Sequence, residues 1–282
     1  MKMALFYTST LLVLCVVHLH LCSILHSTSN NTSTSTSTKK GLCVAPEFFL
    51  CGDVTAFTGI SWYYNWGKNP VHEDHPECEG GKAPPGFIPM IWGYWGQEFP
   101  HLEYDTVLGF NEPNHADQAN MDPEVAAYAW LRLQEAYPDK TLVSPSASPP
   151  HTEEWFDQFF EVCDVIGCRV DYLATHAYTG NAGVDIGILN GLYQRYKKKV
   201  WFTEFAKPST RDPEEELNYM KAILPLLEES EAVWRYSWFV TRWPHGARSN
   251  TTSGEWYLDK VVSLLEQDSA TLTPLGQYYN DF

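Results

Sequence analysis

The stretch "TVLGFNEPN", Thr106 to Asn114, decides how the rest of the chain is read. Apolar and small residues run up to Asn111 and Glu112. Pro113 then stops the run, because it has no backbone N–H to continue a ladder. A little further on, "DPEVAAYAWLRLQEAY" opens with Asp122 as an N-cap and Pro123 at the first helical position. Its apolar residues recur three and four apart, as one buried face of a helix requires. A buried strand, a polar turn and an amphipathic helix make up the repeating unit of a parallel α/β fold.

Seven further apolar runs share the character of the first. They are "GLCV" from Gly41, "GISWYYNW" from Gly59, "GFIPMIWG" from Gly86, "TLVSPSAS" from Thr141, "VDYLATHAY" from Val170, "KVWFTEFA" from Lys199 and "AVWRYSWF" from Ala232. Continuous rather than alternating apolar character suits strands buried on both faces. Helical patterns follow several of them. "TEEWFDQFFEVC" opens at Thr152, and "DPEEELNYMKAILPLLEES" repeats the Asp-Pro opening at Asp212, with Pro225 expected to kink or end it. Eight strands in about 240 residues from Gly41 onward predict one domain, residues 41–282, folded as a (β/α)8 TIM barrel. No glycine-rich phosphate loop follows the first strand, which weighs against a nucleotide-binding sheet.

The first forty residues do not belong to that pattern. Residues 1–25 have the cationic start and apolar core of a signal peptide, or of a signal-anchor if they stay uncleaved. Residues 26–40 form a Ser/Thr-rich linker with too little apolar surface to fold. The expected location is extracellular, at a cell wall or surface, with membrane attachment only through an uncleaved leader. The Asn-x-Ser/Thr triplets in "NNTS" from Asn30 and "NTT" from Asn250 fit glycosylation in that setting. Outside the leader the cysteines are Cys43, Cys51, Cys78, Cys163 and Cys168. An oxidising compartment favours a small loop between Cys163 and Cys168, and a second bridge from Cys43 to Cys51 or Cys78. None has metal-ligand spacing. The net charge of −16 argues against nucleic acid and anionic membranes and is compatible with a neutral substrate. Eleven tryptophans suit either a Trp-rich core or a groove that stacks on sugar faces.

In a barrel, active-site groups lie where strands end. Glu112 ends the fourth predicted strand and Glu204 the seventh, each directly after a strongly apolar run. One such glutamate is unremarkable as a structural residue; two on one rim point to paired carboxyl chemistry. Glycoside hydrolysis needs that pair, one carboxyl to protonate the leaving oxygen and one to act on the opposite face of the sugar. Asn111, beside the first, is placed to hydrogen-bond a sugar hydroxyl. No G-x-S-x-G elbow or H-E-x-x-H helix offers a competing chemistry.

The paired motifs "GFNEPN" and "WFTEFA" resemble those of the retaining clan of barrel glycosidases. With "SWYYNWG", "IPMIWG", "LVSPSAS", "CRVDYLATHAY" and the Trp-rich eighth strand, the chain from Gly41 onward resembles glycoside hydrolase family 128, the β-1,3-glucanases. The resemblance implies Glu112 as acid/base, Glu204 as nucleophile, and a β-1,3-glucan substrate cut with retention. A monomer is expected, with no metal and no organic cofactor. Asn65, Trp92, Tyr94, His176, Tyr178, Trp238 and Trp243 join Asn111 as expected substrate contacts. Trp238 is expected at the floor of the sugar site and Trp243 in a loop wall. The chain departs from the family pattern at Ala177, where an aromatic is expected, and in the cysteine-bearing loops "CVAPEFFLCGD" and "HPECEGG". A glucan-binding protein on the same scaffold, and a glycosidase of different linkage, are the alternatives.

Overall fold

The structure, a computed structural model, describes residues 37–244, 247–249 and 256–282. The expected leader, all but the last four residues of the Ser/Thr linker, and the glycosylation triplets lie outside the described residues. Seven short parallel strands form the core: β1 (Lys40–Cys43), β2 (Trp62–Tyr64), β3 (Thr106–Leu108), β4 (Thr141–Val143), β5 (Leu173–His176), β6 (Val200–Glu204) and β7 (Val233–Trp238). Five of them pair in the order β2-β1-β7-β6-β5, and β3 pairs with β4. Helices α1 (Pro123–Ala136), α2 (Thr152–Ile166), α3 (Ala182–Tyr196) and α4 (Pro213–Glu229) follow β3, β4, β5 and β6 in turn. An antiparallel hairpin, β8 (Ala247–Ser249) with β9 (Trp256–Leu258), and a last helix, α5 (Pro274–Asp281), complete the fold. Among the described residues no helix is long and apolar enough to cross a membrane.

The fold is therefore α/β with a parallel sheet, and it does not show the closed eight-stranded barrel that the sequence predicts. Between the paired groups the contact is single parallel bridges, Tyr63 to Phe87, Met90 to Leu108 and Val143 to Tyr172. The expected third strand, from Gly86, forms no regular ladder. Pro89 within it has no N–H to donate, and Gly86 sits in the left-handed region at φ 97°. Ile88 N–H to Tyr63 O (2.9 Å) and Leu108 N–H to Pro89 O (2.9 Å) still hold the segment in place between its neighbours.

Both Asp-Pro helix starts form as their sequence requires. Asp122 accepts from Glu124 N–H and Asp212 from Glu214 N–H, each at 2.9 Å. Pro225 neither ends α4 nor stands at its last turn, because the helix continues to Glu229. Lys39 caps that extension, its Nζ donating to Leu227 O (3.1 Å), Glu228 O (2.7 Å) and Ser230 O (3.0 Å). α2 stops at Gly167, in the left-handed region at φ 84°, where Gly167 N–H and Cys168 N–H both return to Cys163 O. That turn folds Cys168 back on Cys163, and the two form the expected small-loop disulfide.

The second bridge differs from expectation, joining Cys51 to Cys78 and leaving Cys43 free and buried. Strand alternation explains why. Cys43 points inward from β1, where its sulfur meets Thr203 O at 3.1 Å and Ser237 Oγ and Tyr64 OH at 3.5 Å. It shares that interior with Trp62 and Trp201, whose rings lie 5.1 Å apart. Gly41 has to be glycine, since a Cβ there would be 2.2 Å from the Trp62 indole. The opposite parity carries Phe202, Tyr236 and Trp238 outward beneath the helices.

Candidate active site

Glu112 reaches the site through a glycine. The backbone continues past β3, Asn111 N–H bonding to Trp92 O at 2.8 Å and Asn111 pairing with Ser146. At Gly109 a Cβ would lie 2.6 Å from Trp130 and 2.7 Å from the Pro145 nitrogen, so only glycine lets the strand pass. The chain then turns sharply, with Glu112 at φ 39°. A left-handed non-glycine residue is strained and persists where its surroundings hold it. Here Pro113 follows and His115 N–H closes the turn onto Glu112 O at 3.0 Å. Glu204 needs no such turn. It is the last residue of β6, directly opposite His176 at the end of β5.

His176 lies between the two carboxylates. Its Nδ1 is 2.9 Å from Glu112 Oε1, and its Nε2 is 3.4 Å from Glu204 Oε1, close but out of line for a hydrogen bond. Their facing atoms all lie within 4.8 Å of one another. Glu204 is the deeper carboxylate, 6% exposed, and accepts from Trp66 Nε1–H at 2.6 Å and Tyr178 OH at 2.5 Å, with Tyr64 OH at 3.4 Å. Glu112, with 16% of its side chain exposed, accepts from Ser148 OH at 2.9 Å. Behind Ser148, its Oγ is 2.8 Å from His115 Nε2.

Burial works against ionisation at both glutamates, with different outcomes. At Glu112 burial is outweighed by the His176 ring and the Ser148 hydroxyl, and the carboxyl is held below its usual range. At Glu204 burial dominates. The His176 charge opposes it, the Glu112 charge adds to it, and the net direction is up. Burial alone would make the His176 ring less basic, but the carboxylates on either side reverse that and raise it. Of the three groups, His176 and Glu204 are thus shifted toward holding a proton and Glu112 toward losing one. The 2.9 Å separation of His176 Nδ1 and Glu112 Oε1 is that of a hydrogen bond. Glu204 also accepts an indole N–H and a phenol OH. This donor set is suited to proton exchange.

The trio opens onto a cleft of about 1050 Å³. Of the residues singled out in the sequence, the cleft brings together Glu112, Glu204, Asn111, Trp92, Tyr178 and Trp243, with His176 buried beneath. Asn111 donates to Gln118 Oε1 at 3.0 Å, and its own Oδ1 is buried without a partner. Three expectations do not come to the cleft. The Asn65 carboxamide holds its own loop, accepting from Gly67 N–H and donating to Asn69 O. Tyr94 stacks on Phe99 at 5.1 Å, away from the cleft. Trp238 points under the helices, donating to Val262 O at 2.9 Å and packing on Phe205 at 5.2 Å. Sequence reasoning missed Trp66, Ser148, His115, Phe239 and Trp256, all of which line the cleft. Trp66 shares the parity of Trp62 and Tyr64, a signal that favoured it over Asn65.

Comparison with known proteins shows the family. Residues 49–279 match the profile of the glycosyl hydrolase catalytic core. A family 128 (subgroup II) endo-β-1,3-glucanase of Sorangium cellulosum is 27% identical, with 86% of this chain and 97% of that one covered and a TM-score of 0.66. A subgroup I endo-β-1,3-glucanase of Amycolatopsis mediterranei, solved with laminaritriose, is 26% identical over 86% and 99% of the two chains, TM-score 0.66. A subgroup III curdlan-specific exo-β-1,3-glucanase of Blastomyces gilchristii is 28% identical over 86% and 98%, TM-score 0.64. Alkali-sensitive linkage protein 1 of Schizosaccharomyces pombe is 29% identical over 237 residues, 76% of this chain but only 41% of that protein. The chain belongs to the glycosyl hydrolase catalytic core family and is a glycoside hydrolase of the family 128 kind.

Proposed function

We propose that the protein hydrolyses β-1,3-glucan with retention, Glu112 serving as acid/base and Glu204 as nucleophile. The observation that carries this is the approach of the facing carboxylate oxygens to within 4.8 Å at the cleft floor. Retaining enzymes hold their carboxyls about 5–5.5 Å apart, and inverting ones need about 6.5–9.5 Å to admit a water. A Glu204 oxygen attacks the anomeric carbon while the Glu112 O–H protonates the departing glycosidic oxygen. In the second step Glu112 takes a proton from water, the water oxygen attacks the same carbon, and Glu204 is released. We read the ring of strands, with residues 86–91 as its irregular third member, as a variant of the (β/α)8 barrel. A secreted or surface location accords with two disulfides and the leader.

His176 supplies the starting protonation state in this reading. One proton crossing the 2.9 Å contact from Nδ1 to Glu112 Oε1 makes Glu112 the acid and leaves Glu204 ionised, with no exchange with solvent. Activity then falls as pH rises through the raised His176 value and the shared proton is lost. His176→Gln is expected to lower kcat by about 10²–10⁴-fold and move the alkaline limb of the pH–rate profile to lower pH. An unmoved limb would remove His176 from proton transfer.

The test of the function is reducing-end release by the purified full chain from soluble β-1,3-glucan, with β-1,4-glucan and mannan as controls. Release from the β-1,3-glucan alone is expected. Release only from a control would transfer the reading to that linkage, and binding without any release would indicate a glucan-binding protein.

A further inference from the structure

The aromatic wall of the cleft does not stop at its rim. Trp92 lines the cleft, and Trp95 is stacked on it with centroids 5.8 Å apart and planes 28° apart. Trp95 is 68% exposed, more than any other large aromatic side chain among the described residues. Its position is built by the turn around it. A Cβ at Gly93 would lie 2.7 Å from the Trp95 indole and push it off Trp92, so the glycine is what lets the ring fold back. Gln97 closes the turn from both sides, accepting from Trp95 N–H at 2.6 Å and donating to Gly93 O at 2.8 Å. An indole fixed this way, with one face on a cleft residue and most of its surface in water, is an exposed apolar platform rather than core. A polysaccharide chain is longer than a cleft of about 1050 Å³ can hold, so it has to leave across the rim.

We propose that Trp95, backed by Trp92, is an outlying subsite that takes a glucosyl ring of a long β-glucan chain where the chain leaves the cleft. The C–H face of a β-glucopyranose ring meets the outer indole face, and the hydroxyls stay in water. The proposal rests on the glucan reading above and adds to it a dependence on chain length.

The experiment compares wild type, Trp95→Ala and Trp95→Tyr on soluble β-1,3-glucan and on β-1,3-gluco-oligosaccharides of increasing length. Trp95→Ala is expected to lose about tenfold in kcat/KM on the polymer, through KM, with no loss on the shortest oligosaccharide cleaved, and Trp95→Tyr to keep most of the activity. An equal loss at every length, or none at any, overturns the proposal. Affinity electrophoresis in gels containing the polymer reads the same subsite without turnover. Retardation that weakens in Trp95→Ala supports it, and unchanged retardation overturns it. A wild type retarded by the polymer but inactive at every length would overturn the hydrolase reading and leave the subsite standing.

Discussion

Replacing Glu204 by glutamine is expected to lower hydrolysis by about 10⁴-fold or more while leaving the fold intact. The amide is isosteric, and its oxygen still accepts from the Trp66 indole, but it cannot form the glycosyl ester. Stability is expected to hold or rise, because the substitution removes a buried carboxylate whose ionisation burial opposes. The two roles separate by rescue chemistry. With Glu204 cut back to glycine, azide enters from its side of the sugar and yields the α-glucosyl azide. With Glu112→Ala and a substrate whose leaving group needs no acid, the ester still forms on Glu204, and azide displaces it to give the β product. Wild-type turnover in Glu204→Gln, or the two azide products exchanged, would sink the assignment.

That pair of carboxylates was legible from sequence because each terminates an apolar run. A charge at that point has to emerge at a strand end, and strand ends in a parallel α/β fold share one rim. The Asp-Pro helix starts were legible for an equally local reason. Elsewhere the decisive forces were not local. α4 runs on past Pro225, and Lys39, far away in sequence, caps its last carbonyls. Residues 86–93 are apolar enough for a strand, yet a proline limits them to isolated bridges. Among the tryptophans, composition cannot separate a core ring from a cleft ring. Trp238 and Trp66 both follow strand-like runs, and only strand parity sends Trp238 outward. A left-handed turn at Trp66 (φ 58°) then sets its indole against Glu204. Nothing in the local sequence marks Cys43 as facing inward, where its sulfur meets Thr203 O and not another cysteine.

Least legible of all was the pairing of Arg242 with Asp53, and its removal has the largest expected effect on stability. The guanidinium holds both Asp53 oxygens at 2.6 and 2.8 Å and donates to Phe48 O, Glu266 O and Ser269 O, with both partners almost fully buried. Burial pushes the Asp53 carboxyl up, and the guanidinium only partly offsets it. The ionised pair therefore adds no net stability in itself but is costly to break. Arg242→Met leaves a buried carboxylate without its partner and is expected to cost about 3–5 kcal/mol. At about 2–4 °C per kcal/mol for a domain of this size, that lowers Tm by roughly 6–20 °C. Adding Asp53→Leu is expected to recover part of the loss, since it removes the unpaired buried carboxylate, while Phe48 O, Glu266 O and Ser269 O still lack the guanidinium. The cleft should suffer as well. Arg242 anchors Phe48, whose ring packs edge-on against Trp243 in the cleft wall at 6.0 Å. The double variant is thus expected to regain part of its Tm without regaining wild-type kcat/KM on β-1,3-glucan. Thermal unfolding of the wild type, both single variants and the double variant closes the cycle. A single-variant loss below about 1 kcal/mol would mean that Asp53 finds water or another donor once Arg242 is gone.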